Sequence, residues 1–322
     1  MITRMKSNRN LKIFITGHNG MVGRAVLNFF KKKKFKKIIY ANRKKLDLEN
    51  KKKLFKFIKK NKPDVVINCA GKVGGIKANN SKKIEFLNRN LDINKNIIES
   101  CYKFKISRLI FLGSSCVYPN DIKNKIKEED LLSSKLEPTN EAYALSKIVG
   151  LRLCQYYNEN YNTDYRCLMP CNLFGQNDNY DNENSHVLPA LIKKIHEAKI
   201  KNKKYVDVWG NGKPKREFMY VNDLAKIIFQ ITFCKKSKFK KYSYESILNV
   251  GSQDEFTIKQ LAIKISTVLK YKPKIKFIKK SFNGTLRKKL DNSRLRKILK
   301  HFKYTNFTKS LKKTYIDYLA NV

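Results

Sequence analysis

Seven residues near the start of this chain, Gly17-His18-Asn19-Gly20-Met21-Val22-Gly23, limit the folds open to it more than any others. Residues 11–16 (LKIFIT) before them are apolar and rich in strand formers, and residues 21–30 read as a helix. Glycines spaced G-x-x-G-x-x-G between a strand and a helix have a mechanical meaning. Gly17 allows the tight turn, Gly20 lets a pyrophosphate approach the backbone, and Gly23 lets the helix pack closely. The helix N-terminus adds partial positive charge. The run therefore predicts a dinucleotide site with His18, Asn19, Met21 and Val22 in its wall.

The rest of the first half has the alternation that such a site requires. Apolar segments at 37–41, 64–68, 109–113 and 165–169 are separated by helical stretches at 49–60, from 69 to 103, and at 141–157. Strands alternating with helices predict an α/β fold, a Rossmann-type doubly wound parallel sheet covered on both faces. The pattern loosens after Cys171. Residues 177–185 are polar and turn-rich, 189–199 are helical, and 205–209 (YVDVW) form a strand. We expect an NADP-binding domain over 1–175, with segments near 217–252 returning to it. Residues 176–322 are expected to be mainly a smaller, C-terminal substrate-binding lobe over the strand ends.

Dinucleotide sites that select NAD carry a carboxylate about 20 residues beyond the glycines. No acid precedes Asp47 here, and the second strand runs into Ala41-Asn42-Arg43. A cation without a carboxylate suits the 2′-phosphate of NADP, so Arg43 is the expected selector, with Asn19 as a further donor.

The chemistry is expected after the fourth strand. Tyr143-Ala-Leu-Ser-Lys147 places two functional side chains one helical turn apart. An adjacent ammonium would lower the phenol's pKa and ready Tyr143 to protonate a carbonyl oxygen being reduced. Ser114, in Leu112-Gly-Ser114-Ser115-Cys116, lies at the preceding strand end, where it can hydrogen-bond the same oxygen. This Ser, Tyr, Lys combination resembles the extended short-chain dehydrogenase/reductase family.

Within that family the resemblance narrows to the GDP-L-fucose synthase family. It is carried by GHNGMVG (17–23), AGKVGGIKANN (70–80), GSSCVYP (113–119), EPTNEAYALSK (137–147), NSHVLPA (184–190) and WGNGKPKREFMYVND (209–223). The resemblance runs from about residue 11 to 294. It implies a GDP-linked 4-keto-6-deoxy sugar, GDP-4-keto-6-deoxy-D-mannose, epimerised at C3 and C5 and reduced at C4 by NADPH. The matching positions make Cys116 and His186 the base and acid of epimerisation. Lys194, Trp209, Arg216 and Asp291 match the substrate-binding set. Ala70, Lys147, Pro170, Asn172, Leu173 and His186 match cofactor-side positions, and residues 177–184 the loop read as a lid.

Other features bound the reading. The seven cysteines lack metal-type spacing and read as reduced thiols, six of them as small buried hydrophobes, Cys116 excepted. His18 reads as loop packing, and His196 and His301 as surface residues. Lys plus Arg is 71 against 26 Asp plus Glu, a formal net charge of +45. Lysines spread along the whole chain, among many Asn and Ile, suggest an AT-rich coding sequence. No specific nucleic acid is therefore expected as partner. No apolar run is long enough for membrane insertion, and no signal-type core follows residues 1–10, so a cytoplasmic enzyme is expected. A homodimer through the helix bearing Tyr143 and Lys147 is expected from the family. The alternatives are another extended-family nucleotide-sugar epimerase or dehydratase, and a non-catalytic Rossmann module whose basic surface holds polyanions. All of Ser114, Cys116, Tyr143, Lys147 and His186 are present, which weighs against the second.

Overall fold

The computed structural model describes residues 8–182, 184–278 and 285–322. The chain opens with β1 (Ile13–Thr16), α1 (Met21–Lys32), β2 (Ile38–Ile39), α2 (Lys51–Asn61) and β3 (Val65–Asn68). Then come α3 (Ile76–Ser81), α4 (Lys83–Lys103), β4 (Arg108–Leu112), α5 (Glu141–Tyr161) and β5 (Tyr165–Pro170). The order continues with β6 (Asn172–Phe174), α6 (Val187–Ile200), β7 (Tyr205–Trp209), β8 (Lys215–Tyr220), α7 (Val221–Thr232), α8 (Lys236–Tyr242) and β9 (Ile247–Val250). It ends with β10 (Glu255–Thr257), α9 (Ile258–Val268), β11 (Lys274–Ile278), β12 (Arg287–Lys288), α10 (Ser293–Ile298) and α11 (Phe307–Leu319).

Six strands form one parallel sheet in the order β2-β1-β3-β4-β5-β9. Its strands are buried on both faces: all four residues of β1, β3 and β9 and all six of β5 lie inside the protein. Their unbroken apolar runs, rather than alternating ones, follow from helices lying on both sides. From β1 the chain goes to β2 on one flank and then crosses back to β3 on the other. That reversal opens a crevice at the carboxyl ends of β1 and β3, where parallel sheets bind ligands.

Amphipathic helices close the faces. In α2 (KKKLFKFIKKN) only Leu54 and Ile58, one turn apart, are fully buried while the lysines stay outside. Burying each contributes roughly 1.5–3 kcal/mol. Asn50 caps the helix by accepting from the Lys53 amide, and Lys62 ends it in the left-handed region. The stretch from 69 to 103, expected to be one long helix, is a loop followed by α3 and α4. Lys82, with φ −124° and ψ 42°, breaks it, and Gly74 and Gly75 hold the loop before it.

A second apolar core lies beyond the sheet's carboxyl edge. Phe174, Leu188, Ile192, Val206, Phe218 and Leu261 are among its buried members, drawn from β6, α6, β7, β8 and α9. Its strands are short: β6 and β12 flank β8 in parallel, β10 pairs antiparallel with β8, and β7 pairs with β11. The cysteines differ in part from expectation. Cys101, Cys154, Cys167 and Cys171 are buried, but Cys69 and Cys234 are partly exposed because both sit just past element ends.

Candidate active site

The glycine turn is built as its spacing implies. Gly17 adopts φ +63°, and a β-carbon there would stand 2.8 Å from the Ala70 Cα. A β-carbon on Gly23 would meet the Gly17 carbonyl oxygen at 2.1 Å, so the α1 backbone lies directly on the turn. Gly20 is different: its nearest neighbour would be the Gly17 oxygen at 3.5 Å, and both Asn19 and Gly20 are exposed. The turn thus offers one open side of bare backbone. Gly20 caps α1 with no side-chain hydrogen bond, and its first turn holds no acidic residue. Backbone N–H groups at that terminus are oriented to receive a pyrophosphate. Behind it, Thr16 donates to Asn68 at 2.8 Å and the Ala70 amide reaches both side chains at 3.2 Å, which ties β1 to β3 at the crevice. Met21 and Val22 pack on the main core, and His18 packs on the Tyr40 ring at 4.8 Å, the loop-packing role expected of it. Burial, with help from Arg24 and Lys31, holds the His18 pKa below its ordinary value.

Arg43, the expected phosphate selector, lies exposed just past β2. The expectation of a cation without a carboxylate needs correction. The loop before α2 folds back so that Glu49 accepts from Arg43 at 2.9 Å, and Asp47 is 3.8 Å away. Glu49 also accepts from Arg89 at 3.0 Å. At this exposure such a pair contributes about 0–1 kcal/mol and exchanges readily for a phosphate.

The proton-handling groups converge beneath the crevice. Lys147 is 3% exposed; its ammonium donates to the Leu112 carbonyl at 3.0 Å and lies 5.9 Å from the Tyr143 ring centre. Burial pushes its pKa down to about 8, partly offset by Cys69. The expected lowering of the Tyr143 pKa is not what the geometry gives. Burial raises it, the nearby Cys116 adds to the rise, and a hydrogen bond with Ser114 opposes it. Desolvation of the phenol is the largest cause, and the Lys147 ammonium gives its hydrogen bond to the backbone. Ser114 itself accepts from the Cys116 amide at 3.2 Å and so caps a short 3-10 turn, residues 115–117. That turn places Ser114, Cys116 and Tyr143 together.

Arg216 on β8 joins them from the second core. Burial lowers its pKa, while Cys116 and Glu137 act in the opposite sense. Glu137 is 6% exposed and accepts from the Thr139 hydroxyl at 2.5 Å. Glu137 opens the 137–147 motif, but no role is legible for it there, because a buried carboxylate opposite an arginine leaves no local signature. His186 is the backbone N-cap of α6, and its imidazole makes no capping hydrogen bond. The residue is exposed, and desolvation by the surrounding protein holds its pKa below the ordinary value.

The remaining predicted positions divide. Pro170 and Asn172 lie at the β5–β6 junction, Asn172 donates to the Glu217 carbonyl at 2.9 Å, and Leu173 packs on the main core. Lys194 donates to the Asp207 carbonyl at 2.9 Å and stands 5.1 Å from the Trp209 ring centre. Trp209 is 51% exposed on β7. Asp291 follows β12, whose Lys288 pairs with Arg216, and it accepts from the Ser293 amide at 2.8 Å. Of the loop read as a lid, Glu183 lies outside the described residues. Asn177 is tied to Asp317 of α11 at 2.7 Å and accepts from Arg24, and Lys193 donates to the Tyr180 carbonyl at 3.2 Å. His196, expected at the surface, instead bonds Tyr315 at 2.9 Å and packs edge-on to Tyr318. His301 is exposed as expected.

Comparison with known proteins bears on the family and the fold. A model of the NAD dependent epimerase/dehydratase family matches residues 13–250. A putative GDP-L-fucose synthase of Arabidopsis thaliana is 41% identical over 98% of this chain and 93% of its own length. A GDP-L-colitose synthase of Yersinia pseudotuberculosis is 38% identical over 92% and 93% of the two chains. Among solved structures, a GDP-L-fucose synthetase from Naegleria fowleri bound to NADP superposes with a TM-score of 0.86. It is 30% identical and covers 96% of this chain and 94% of its own.

Proposed function

The chain belongs to the NAD dependent epimerase/dehydratase family, and from that premise we propose that it performs the GDP-L-fucose synthase reaction. GDP-4-keto-6-deoxy-D-mannose is epimerised at C3 and C5 and then reduced at C4 with NADPH. The observation that carries this reading is the grouping of Cys116 with Ser114, Tyr143 and Arg216. A reductase alone needs the serine, tyrosine and lysine; a thiol beside them supplies a carbon base.

The bare backbone of Gly17–Gly23 and the uncapped α1 terminus suit a dinucleotide pyrophosphate. Arg43 would exchange Glu49 for the 2′-phosphate, and Ala70, Pro170, Asn172 and Leu173 would line the nicotinamide side. Bound there, the dinucleotide supplies the hydride to C4. Ser114 and Tyr143 hold the C4 oxygen by donating hydrogen bonds to it. As C3 or C5 loses its proton to the Cys116 thiolate, negative charge gathers on that oxygen and is stabilised in place. His186 returns a proton to the other face of the sugar, inverting the carbon. When C4 is reduced, Tyr143 gives its phenolic proton to the oxygen. The raised pKa of the partly desolvated phenol keeps that proton in place until an alkoxide, a stronger base, forms. Lys147 then supports the phenolate. Arg216, Lys194, Trp209 and Asp291 are assigned to the nucleotide-sugar.

Incubation with GDP-4-keto-6-deoxymannose and NADPH should yield GDP-L-fucose. Cys116→Ser should suppress solvent-deuterium uptake at C3 and C5 while NADPH binding persists. Oxidation of NADPH to an unepimerised product by the wild type would remove the roles given to Cys116 and His186. Among the described residues no helix is long and apolar enough to cross a membrane. We place the enzyme in the cytoplasm, as a homodimer paired through α5, where Leu145, Val149 and Tyr156 are exposed.

A further inference from the structure

The loop between β3 and α3 is held at both ends of the site. At Gly71 a β-carbon would stand 3.5 Å from the Lys147 ammonium and 3.0 Å from the Asn90 side-chain oxygen. At the other end the Gly75 amide donates to the Asn184 carbonyl at 2.9 Å. A β-carbon on Gly75 would stand only 2.4 Å from the Ser185 carbonyl oxygen. Gly75 has φ −70° and ψ 179°, values open to any residue, so backbone freedom is not what calls for glycine there. Space is. The backbone of residues 184–185 lies flush against it, and the next residue is His186.

The contact is stiff on both sides. Asn79, 7% exposed, donates through its side-chain amide to the Gly74 and Gly75 carbonyls at 2.6 and 3.0 Å. A β-carbon on Gly74 would meet Ala78 and Phe86 at 3.0 and 3.1 Å, so the loop cannot retreat toward α3 or α4. On the far side, the Ser185 amide donates to the Asp181 carbonyl at 3.1 Å, and the His186 carbonyl accepts from Ala190 in the first turn of α6. His186 is thus fixed by α6 behind it and by Gly75 in front, with its imidazole released from capping.

We propose that Gly75 is a positioning residue for His186: its missing side chain lets residues 184–185 seat on the β3–α3 loop and sets where the imidazole stands during epimerisation. The inference rests on the proton-donor role given to His186. Adding one methyl at Gly75 must push the Ser185 carbonyl away by about an ångström to reach ordinary contact, and displacements of that size at a reacting group cost on the order of a hundredfold. The dinucleotide turn, on the opposite flank of the loop, would be spared.

The test uses the full chain with NADP+, which permits proton exchange without hydride delivery. Deuterium uptake at C3 and C5 of the keto sugar is measured against pH, beside NADPH affinity by fluorescence. Gly75→Ala should lower uptake at least tenfold and shift the pH limb belonging to His186, with NADPH affinity within about twofold of wild type. Asn79→Ala, which loosens the seat without crowding it, should give a smaller loss of the same kind. A folded Gly75→Ala protein exchanging at the wild-type rate with an unmoved profile overturns the proposal. Should Gly75→Ala fail to fold, an Asn79→Ala protein with wild-type exchange and pH profile overturns it equally. Absence of exchange in the wild type itself would overturn the epimerase reading and this inference with it, a result separable from the first two.

Discussion

A buried lysine beside a half-buried tyrosine is costly, and Lys147 shows how the site carries that cost. Its pKa falls from 10.5 to about 8 on burial. Below pH 8 the ammonium is charged in both folded and unfolded chains, and the full penalty is present. Between about 8 and 10.5 the unfolded chain holds a proton that the folded chain has released, so stability rises with pH across that window. The difference is on the order of 3 kcal/mol. Lys147→Met should therefore melt at higher temperature than wild type at pH 7, with the gain shrinking toward pH 10.5, while reductase activity is lost. Thermal melts at the two pH values read it directly; equal melting at pH 7 would mean that the ammonium is not desolvated as the geometry implies. Tyr143→Phe should lower the rate of C4 reduction by about 10²–10⁴ with little change in NADPH affinity. At this scale Tyr143 and Lys147 were legible from their helical spacing and Ser114 from its place at a strand end, whereas Cys116 was legible only through the family resemblance. The direction of the Tyr143 shift was not, since it depends on burial from elements distant in sequence. Glu137 was illegible for the same reason.

Elements that repeat a strong period are legible nearly to the residue: β7 matches the expected segment, and α5 only runs on from 157 to Tyr161. Those governed by tertiary pairing are not. β6, β10 and β12 are two or three residues long and exist because β8 offers edges to them. The break at Lys82 and the return of Glu49 onto Arg43 belong to the same class. Glu49 follows Arg43 by only six positions, but their meeting depends on the loop that Asn42 turns by accepting from the Lys45 amide at 3.0 Å. This connection carries a prediction about cofactor choice. Arg43→Ser should weaken NADPH binding about tenfold or more and leave NADH binding nearly unchanged, since only the 2′-phosphate is lost as a partner. Glu49→Gln, which removes the competing carboxylate, should strengthen NADPH binding a few-fold. Parallel titrations with the two cofactors distinguish the cases, and a loss that is equal for both would mean that Arg43 supports the loop instead.

The whole molecule poses the question of where a net charge of +45 acts. The basic residues are spread along the chain, and two of the denser runs are residues 31–37, KKKKFKK, and residues 235–241, KKSKFKK. In each the single apolar residue is turned inward, Phe35 at 8% and Phe239 at 3% exposure, and most of the lysines stand in solvent. The runs adjoin, since Phe35 stacks on Phe233 with ring centres 5.4 Å apart. The first run begins in the last turn of α1, whose opposite end carries the glycine turn, and the second makes up most of α8. The twelve residues of α1 span about 18 Å between the glycine turn and the first run. That is about twice the Debye length of roughly 8 Å at physiological salt. These lysines therefore steer an anionic nucleotide-sugar only at low ionic strength, whereas Arg216 acts within the site at any salt. The kcat/KM for the keto sugar should fall several-fold as salt rises from about 0.02 to 0.15 M, with kcat little changed. Replacing Lys33, Lys36 and Lys37 by glutamine should flatten that dependence and leave the value at about 0.15 M unaltered. Arg216→Gln should lower kcat/KM at every salt concentration and keep the slope. Were the triple variant impaired equally at all salt concentrations, the basic runs would have a part in catalysis that their place in the fold does not allow, and the division of the charge into a steering shell and a binding core would fall.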